Sequence, residues 1–407
     1  MRNRILFVLA LLAMLAYLPT LRQPLLEDDY PNIAEAHALG MHIIADPIFG
    51  IRSTSFLLMD AIYRLCGMNP AAYYAVLIAV HIMNTWLVYA LGYWRPVGYE
   101  VSAWAAAFFA VYEGHQEGIM WLSGATEPLL FLFGVGAFLC WLRFLYEGRR
   151  TWYLAAVAAF VVALYSKESA FIMVPLFALP FVFDAKLRGQ IFWLTPFGIL
   201  AALAVGHVLY TRTYSFRFND GSFSLHAPFW ITWPNSFARL FWVWGLLAVI
   251  TILLSKPARA VKVLYIGLVW AGLALVPYSF LTYTTRIPSR QTYLASVGIA
   301  LIAGSALTIL AQRRPRWVVT TAFALILITN VGYLWTRKRA QFLERAAPTE
   351  QLIALARTTK GPIYVQCFPR PALVADWAVR LTTGRTDLIW DPAQSHSAAV
   401  TFCYKGK

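Results

Sequence analysis

Two adjacent carboxylates, Asp28 and Asp29, follow the first long apolar segment of the chain. Partial burial and mutual repulsion raise the pKa of one member of such a pair, which suits it to act as a general base. Their oxygen atoms can also bind a divalent metal ion. A solvated acidic turn without a ligand is an equal alternative, because two neighbouring aspartates form a weak motif.

A second acidic group contains Glu113, His115 and Glu117. Glu113 and Glu117 share one face of a helix because they are four residues apart. His115 and Glu117 have side chains that can bind a metal or orient a sugar. A cap at the membrane surface with no ligand is the alternative. The sequence leaves a metal requirement unknown, and the candidate ligands are Asp29, Glu113 and Glu117.

Basic side chains interrupt the apolar pattern at two further places. Lys167 and Glu168 divide one long apolar run, where an unpaired lysine is costly. We expect Lys167 to pair with Glu168, with an aspartate of the first pair or with a phosphate; a purely structural ion pair is the alternative. Arg286 and Arg290 precede another apolar run, and their planar guanidinium groups suit phosphate oxygens. Snorkelling to the membrane interface is the alternative for both arginines.

Other polar residues within apolar runs favour structural roles. His81, Asn84 and His207 are of the kind that bond to neighbouring helices more often than they catalyse. The four cysteines form neither a CxxC pair nor a metal pattern.

The composition is that of a membrane protein. The chain has 407 residues, of which 60% are hydrophobic and 13% charged, and its mean hydropathy is +0.60. Its apolar runs of roughly 17–22 residues are long enough to cross the hydrocarbon core as helices. The net charge of +15 lies largely in short loops, where it sets orientation, so it does not indicate a nucleic-acid partner.

The apolar pattern predicts an all-α polytopic membrane domain over residues 1–339. We interpret the N-terminal run as a retained helix rather than a signal peptide, because no small-x-small cleavage site follows it. The predicted transmembrane helices, about eleven in number, cover residues 5–21, 72–94, 101–112, 126–145, 152–166, 169–183, 190–210, 236–254, 261–281, 293–311 and 317–335.

Lysine and arginine are concentrated in alternate loops, which predicts the orientation. The opposite loops include residues 22–71, 113–125, 166–169, 211–235 and 282–292 and the tail after residue 336. All the polar clusters described above belong to this extracytoplasmic series. The Arg337-Lys338-Arg339 run is its one basic exception. Residues 52–65 are too polar to cross the membrane. Their pattern predicts an amphipathic helix that lies in the membrane interface on the extracytoplasmic side.

Residues 340–407 predict a small α/β domain on the extracytoplasmic side. Helices are expected over residues 348–357 and 373–381, and strands over residues 362–368 and 398–404. Cys367 and Cys403 lie in the two strands, where a disulfide is geometrically possible. The sequence does not show that both side chains share a face, so two free thiols are the favoured expectation.

A series of motifs in chain order over about residues 20–300 carries a resemblance to a known family. The motifs are the Asp28-Asp29 pair; Arg52 at the start of the interfacial helix; Tyr74, His81 and Asn84; His115, Glu117, Trp121, Ser123 and Gly124; Ser166-Lys167-Glu168; and Arg290, Tyr293, Leu294, Ser296 and Gly298. With them the chain resembles the GT-C membrane glycosyltransferases, and especially the membrane half of the TMTC-type O-mannosyltransferases and their bacterial relatives.

The resemblance implies an inverting transfer of a sugar from a polyprenyl-phosphate donor to an acceptor on the extracytoplasmic face of a bacterial inner membrane. It implies Asp28 or Asp29 as the base, with Asp28 favoured. Arg290, Lys167 and Arg286 would bind the donor phosphate. The remaining residues that it implies as substrate contacts or supports are Arg52, Tyr30, His115, Glu117, Glu168 and Tyr293.

Two departures from the family pattern are Ser53 and Glu113, each at a position where proline is expected. The small tail stands in place of the tetratricopeptide array, so a glycan, a lipid and a protein all remain open as the acceptor. A transporter or flippase of a lipid-linked or anionic solute is the rival function, since intramembrane polar residues fit that class too. The absence of visible repeat symmetry counts against it. A non-catalytic scaffold is a third interpretation.

Overall fold

A computed structural model of the protein describes residues 2–211 and 223–405. The described chain is predominantly helical. Its helices are α1 Arg2–Tyr17, α2 Asp29–Leu39, α3 Ser53–Cys66, α4 Pro70–Ala90, α5 Gly98–Val111, α6 Gln116–Ile119, α7 Thr126–Glu147, α8 Arg150–Leu164, α9 Met173–Phe183, α10 Thr195–Tyr210, α11 Phe229–Ser255, α12 Ala258–Leu275, α13 Ser296–Arg313, α14 Arg316–Tyr333, α15 Arg339–Thr358 and α16 Ala372–Thr383.

Every predicted transmembrane segment coincides with a helix, which confirms the polytopic all-α architecture. Eight helical stretches among the described residues have the length and hydropathy to cross a membrane. The 14 residues of α5 extend only about 21 Å at 1.5 Å per residue, less than the hydrocarbon thickness. α8 and α9 are also shorter apolar helices, separated at the polar turn that contains Lys167. The predicted outer loop 211–235 lies in part outside the described residues.

Helix α13 forms the centre of the bundle and packs against α5 and α12. Its residues Ser296 to Ile309 are all buried. Small residues permit close approach of the backbones: a Cβ atom at Gly267 of α12 would lie 2.6 Å from the carbonyl oxygen of Gly298. This tight core fixes the loop that precedes α13, which carries Arg290.

A buried polar network secures the same loop. His81 Nδ1 and the Tyr293 hydroxyl are 2.6 Å apart, and Asn84 donates to that hydroxyl at 3.2 Å. His81 also contacts the carbonyl oxygen of Ala110 at 3.1 Å. The structural role predicted for His81 and Asn84 is therefore confirmed, and Tyr293 is a third member of the network.

The C-terminal unit is a small α/β structure. Its three strands are β1 Ile363–Cys367, β2 Leu388–Ile389 and β3 Val400–Cys403. They form a parallel sheet in the order β2-β1-β3, and β2 was not predicted. Helices α15 and α16 share a hydrophobic cluster with β1 and β3, and α16 also packs on α2. The predicted domain boundary at residue 340 falls at the start of α15, which continues from α14 through a π-helical turn.

Cys367 and Cys403 form a disulfide, so the expectation of two free thiols is wrong. Pairing of β1 with β3 places the two residues opposite each other, with their Cα atoms 4.6 Å apart. That distance is within the range that a disulfide requires. Sequence periodicity did not reveal the pairing because it depends on the register of two strands distant in the chain.

We expect mass spectrometry of the unreduced, proteolysed protein to recover a Cys367–Cys403 crosslinked peptide. Alkylation before reduction should modify Cys66, which is exposed and free, and should leave Cys367 and Cys403 unmodified. Recovery of both residues as alkylated thiols would contradict the disulfide.

Candidate functional site

The turn before α2 directs its two aspartates differently. Asp29 is fully buried, and its carboxylate accepts hydrogen bonds from the Leu26 amide at 2.8 Å and from the Ser123 amide at 2.8 Å and hydroxyl at 2.7 Å. Burial raises the pKa of Asp29 to about 7 despite these bonds. Asp29 therefore ties the turn to the segment around Ser123.

Asp28 instead lines the main cavity, and its side chain is partly exposed. No described residue donates a hydrogen bond to its carboxylate. Partial burial, followed by the charge of Glu27, raises the pKa of Asp28, although Arg290 lowers it. Of the two aspartates, Asp28 has the carboxylate that can accept a proton from a molecule in the cavity.

The cavity has a volume of about 690 Å³, and both charged and apolar residues line it. Its charged lining residues are Asp28, Arg52, Lys167, Glu168 and Arg290. Its apolar lining residues include Val205, Val208, Leu209, Val276, Phe280 and Leu281. Four segments that are distant in sequence thus bring two carboxylates and three cations to one cavity that also has an apolar lining.

Lys167 pairs with a carboxylate that the sequence did not single out. Its ammonium group lies 2.6 Å from Glu127 Oε1, and both side chains are almost completely buried. Glu127 also accepts a hydrogen bond from the Tyr278 hydroxyl at 3.0 Å. The predicted partners, Glu168 and the aspartates, are wrong: Glu168 pairs with Arg52. Glu127 was recognisable as an acidic residue in the first turn of an apolar helix.

Arg52 and Glu168 connect the start of helix α3 to the turn between α8 and α9. Arg52 Nε donates to Glu168 at 3.0 Å, and its Nη2 makes a second contact with the same carboxylate. The Thr54 hydroxyl donates to Ser166 at 2.9 Å and strengthens this connection. The bidentate pair leaves part of both side chains facing the cavity.

Arg290 reaches the cavity from the loop before α13. Its backbone amide and its Nη1 contact Glu117 Oε2 at 3.3 and 3.5 Å. Its guanidinium group stacks over the Trp121 ring, 4.8 Å from the centroid. The long ion-pair distance and the 24% exposure of its side chain leave the Arg290 fork accessible to an anion in the cavity.

Arg286 faces a different space. It lines a second, smaller cavity of about 190 Å³, which also contains Glu113, Glu117 and Arg239. Glu113 is paired with Arg239 at 2.8 Å. The structure therefore separates Arg286 from Arg290 and Lys167, and we do not retain it as a ligand of the same phosphate.

Three further predicted site residues, Tyr30, His115 and Tyr293, are buried and do not line the main cavity. Tyr30 is 2% exposed, and its hydroxyl donates to Glu350 at 3.3 Å. His115 Nε2 lies 2.7 Å from the Ser296 hydroxyl, and its ring packs against Tyr293. These contacts position neighbouring backbone rather than a substrate.

The described residues do not fit a metal centre. No group of three or more histidine, cysteine, aspartate or glutamate side chains lies close enough among them to hold an ion. The three candidate ligands are each engaged elsewhere: Asp29 with Ser123, Glu113 with Arg239, and Glu117 with Arg290. We therefore assign no step of the chemistry to a metal.

We expect Glu127→Gln to destabilise the protein by about 3–5 kcal/mol, because it leaves the Lys167 ammonium buried without a counter-charge. Reversible unfolding in detergent measures this free energy. The Glu127→Gln/Lys167→Met double variant should recover much of the loss. An unchanged stability of the single variant would show that the pair is not buried in the protein.

Comparison with known proteins places the fold. No family model and no curated protein sequence matches the chain. The chain superposes on the archaeal oligosaccharyltransferase AglB from Archaeoglobus fulgidus, solved with an inhibitory peptide and a dolichol-phosphate, with a TM-score of 0.57 and 12% identity. The match covers 97% of this chain and 64% of AglB.

A second similar structure is ArnT from Cupriavidus metallidurans, bound to undecaprenyl phosphate. Its TM-score is 0.54 at 12% identity, and the match covers 93% of this chain and 84% of ArnT. Both proteins are GT-C membrane glycosyltransferases. At this level of identity the likeness concerns the fold, and it confirms the predicted architecture: the chain is an integral membrane protein with the GT-C fold.

Proposed function

We propose that the protein is a membrane glycosyltransferase that transfers a sugar from a polyprenyl-phosphate-linked donor to an acceptor hydroxyl. The observation that carries this proposal is the main cavity, which combines an accessible carboxylate, three cations and apolar lining residues. The cations suit the donor phosphate, the apolar residues suit its prenyl chain, and the carboxylate suits the proton of an acceptor hydroxyl. The dolichol-phosphate and undecaprenyl phosphate in the two similar structures support the choice of donor class.

The donor phosphate would lie between Arg290 and Lys167. Arginine offers planar pairs of donors to phosphate oxygens, and lysine adds a compact charge. Arg52 contributes positive charge nearby, although it is held by Glu168. The prenyl chain would pack against the apolar lining residues, which include Val205, Val208, Leu209, Phe280 and Leu281.

Asp28 would act as the general base. It removes the proton from the acceptor hydroxyl while the oxygen attacks the anomeric carbon, and the bond from that carbon to the phosphate oxygen breaks. The proton remains on Asp28, and the electron pair leaves with the lipid phosphate. Attack opposite the leaving group inverts the anomeric centre. Arg290 and Lys167 stabilise the charge that develops on the phosphate.

A transporter is less well supported by this arrangement. The charged residues that line the cavity lie in turns or at helix starts rather than within the long apolar helices, where intramembrane polar residues of a transport path are expected. We also propose the extracytoplasmic face of a bacterial inner membrane as the location of the cavity and the C-terminal unit. The distribution of lysine and arginine supports this orientation, as does a disulfide, which persists in an oxidising compartment.

We expect Asp28→Asn to lower the transfer rate by roughly 10²- to 10⁴-fold, because the amide cannot accept the proton. The protein in nanodiscs would be assayed with undecaprenyl-phosphate hexoses and a cell-envelope extract as acceptor. Glu100→Gln, a change of an exposed carboxylate remote from the cavity, is the matched control. Transfer should also decline on acidification at a pH above that of an ordinary aspartate, since the pKa of Asp28 is raised and the base must be ionised. Normal rates in Asp28→Asn would remove the base assignment.

We expect Arg290→Lys to weaken donor binding about tenfold, equivalent to about 1.4 kcal/mol, because lysine keeps the charge but not the planar fork. Equilibrium binding of undecaprenyl phosphate in nanodiscs measures the effect. Arg286→Lys provides the comparison, because Arg286 lines the second cavity. Equal losses in both variants, or a loss confined to Arg286→Lys, would place the phosphate elsewhere.

A further inference from the structure

The residue that precedes the proposed base is held by the C-terminal unit. Glu27 pairs with Arg345 of α15 at 2.9 Å and with Arg370 at 2.6 Å. The Glu27 side chain is only 12% exposed. The charged groups around Asp28 are thus Glu27 and Asp29 on its own turn, Arg290 from the loop before α13, and Arg345 and Arg370 from the C-terminal unit.

The backbone of this turn needs such support. Glu27 has a φ of +34°, a conformation that residues other than glycine rarely adopt. Unfavourable backbone conformations persist when surrounding contacts hold them, and they concentrate at functional sites. The two arginines supply those contacts, because both bind the Glu27 carboxylate. Release of Glu27 would allow the turn to relax and would move Asp28 with it.

The C-terminal unit presents the two arginines on rigid elements. Arg370 lies between Pro369 and Pro371, which restrict the backbone on both sides. The disulfide at Cys367 is three residues away and fixes the end of β1. Arg345 projects from α15, and its guanidinium group stacks over the Trp121 ring at 4.7 Å. The Arg290 guanidinium group also stacks over the Trp121 ring, so this ring contacts both the C-terminal unit and the proposed phosphate site.

The unit is also packed directly on the helix that begins at Asp29. Ala378 of α16 and Ile353 of α15 lie in one hydrophobic cluster with Ile33 and Ala36 of α2. Tyr30 donates to Glu350 of α15 at 3.3 Å. Apolar packing thus fixes α2 from one side, while the arginines fix the turn before it.

We propose that the C-terminal unit is a positioning element of the active site, in which Arg345 and Arg370 hold Glu27 and thereby set the position and charge environment of Asp28. This inference rests on the proposed function, since it assigns to Asp28 the role of base. It makes the two arginines positioning residues rather than catalytic ones. It also implies that the membrane bundle without the unit is a poor catalyst even if it retains its fold.

The test uses full-length protein in nanodiscs with undecaprenyl-phosphate hexoses as donors. We expect Arg370→Gln to lower kcat roughly tenfold with KM for the donor nearly unchanged, because small displacements of a reacting group are costly. Arg370→Lys should restore much of the rate. Arg380→Gln, which changes an exposed arginine of the same unit, is the matched control.

The pH profile separates positioning from a general loss of structure. Arg370→Gln removes a cation near Asp28. The acid limb of the pH–rate profile, where transfer declines on acidification, should therefore move to higher pH. Glu27→Gln removes an anion, so the limb should move to lower pH, while kcat falls in both variants. Suppose that Arg370→Gln has the wild-type kcat and the wild-type acid limb of the pH profile, while Asp28→Asn assayed in the same way is inactive. That result would overturn the inference but leave the proposed function intact.

A second measurement does not depend on activity. Hydrogen–deuterium exchange of the backbone over residues 25–31 should be faster in Arg370→Gln than in wild type, and unchanged in Arg380→Gln. If no hexose donor supports transfer by the wild-type protein, the proposed function fails, and this exchange still tests whether the arginines hold the turn. Equal exchange in all three proteins would overturn the positioning role.

Discussion

The pairing of charge at membrane depth is the constraint on which this structure depends. Lys167 is held in a nearly dry environment by Glu127, and Arg52 by Glu168. An isolated charge in such surroundings is costly, so each cation requires a carboxylate from another element. These requirements fix the start of helix α3, the turn between α8 and α9 and the start of α7 relative to one another. All three contribute residues to the lining of the main cavity.

The same pairing rule explains the division of labour within the acidic pair. Asp29 satisfies backbone and side-chain donors around Ser123 and closes the turn, and its carboxylate is therefore unavailable to a substrate. Asp28 is left at the N-terminus of α2, open to the cavity. The buried carboxylate of Asp29 thus holds the turn in a conformation that exposes the adjacent Asp28 carboxylate to the cavity. Adjacent acids at the end of a membrane helix need not share a role, because neighbouring side chains leave a helix start in different directions.

The two unequal cavities have a similar origin. The loop before α13 runs between them, with Arg290 on the larger and Arg286 on the smaller. Glu117 engages Arg290 on one side of this partition, and Arg239 engages Glu113 within the smaller cavity. The loop is fixed from beneath by the His81–Tyr293–Asn84 network and by the close packing of α13. Residues that look like one cationic patch in the sequence therefore lie in separate cavities.

The sequence by itself determined the membrane class, the positions of the apolar helices along the chain, the break at Lys167 and the polar segments that supply the charged residues of the cavity. Hydrophobicity and periodicity are local properties, and the bilayer acts on them directly. Only the tertiary structure decided which aspartate faces the cavity, which carboxylate neutralises Lys167, where Arg286 points and whether Cys367 is oxidised. Those outcomes depend on partners far apart in the chain, such as Arg345 with Glu27 at a separation of 318 residues. Ion pairs and strand registers at such distances leave no periodic pattern, because they are selected by the packing of the whole molecule.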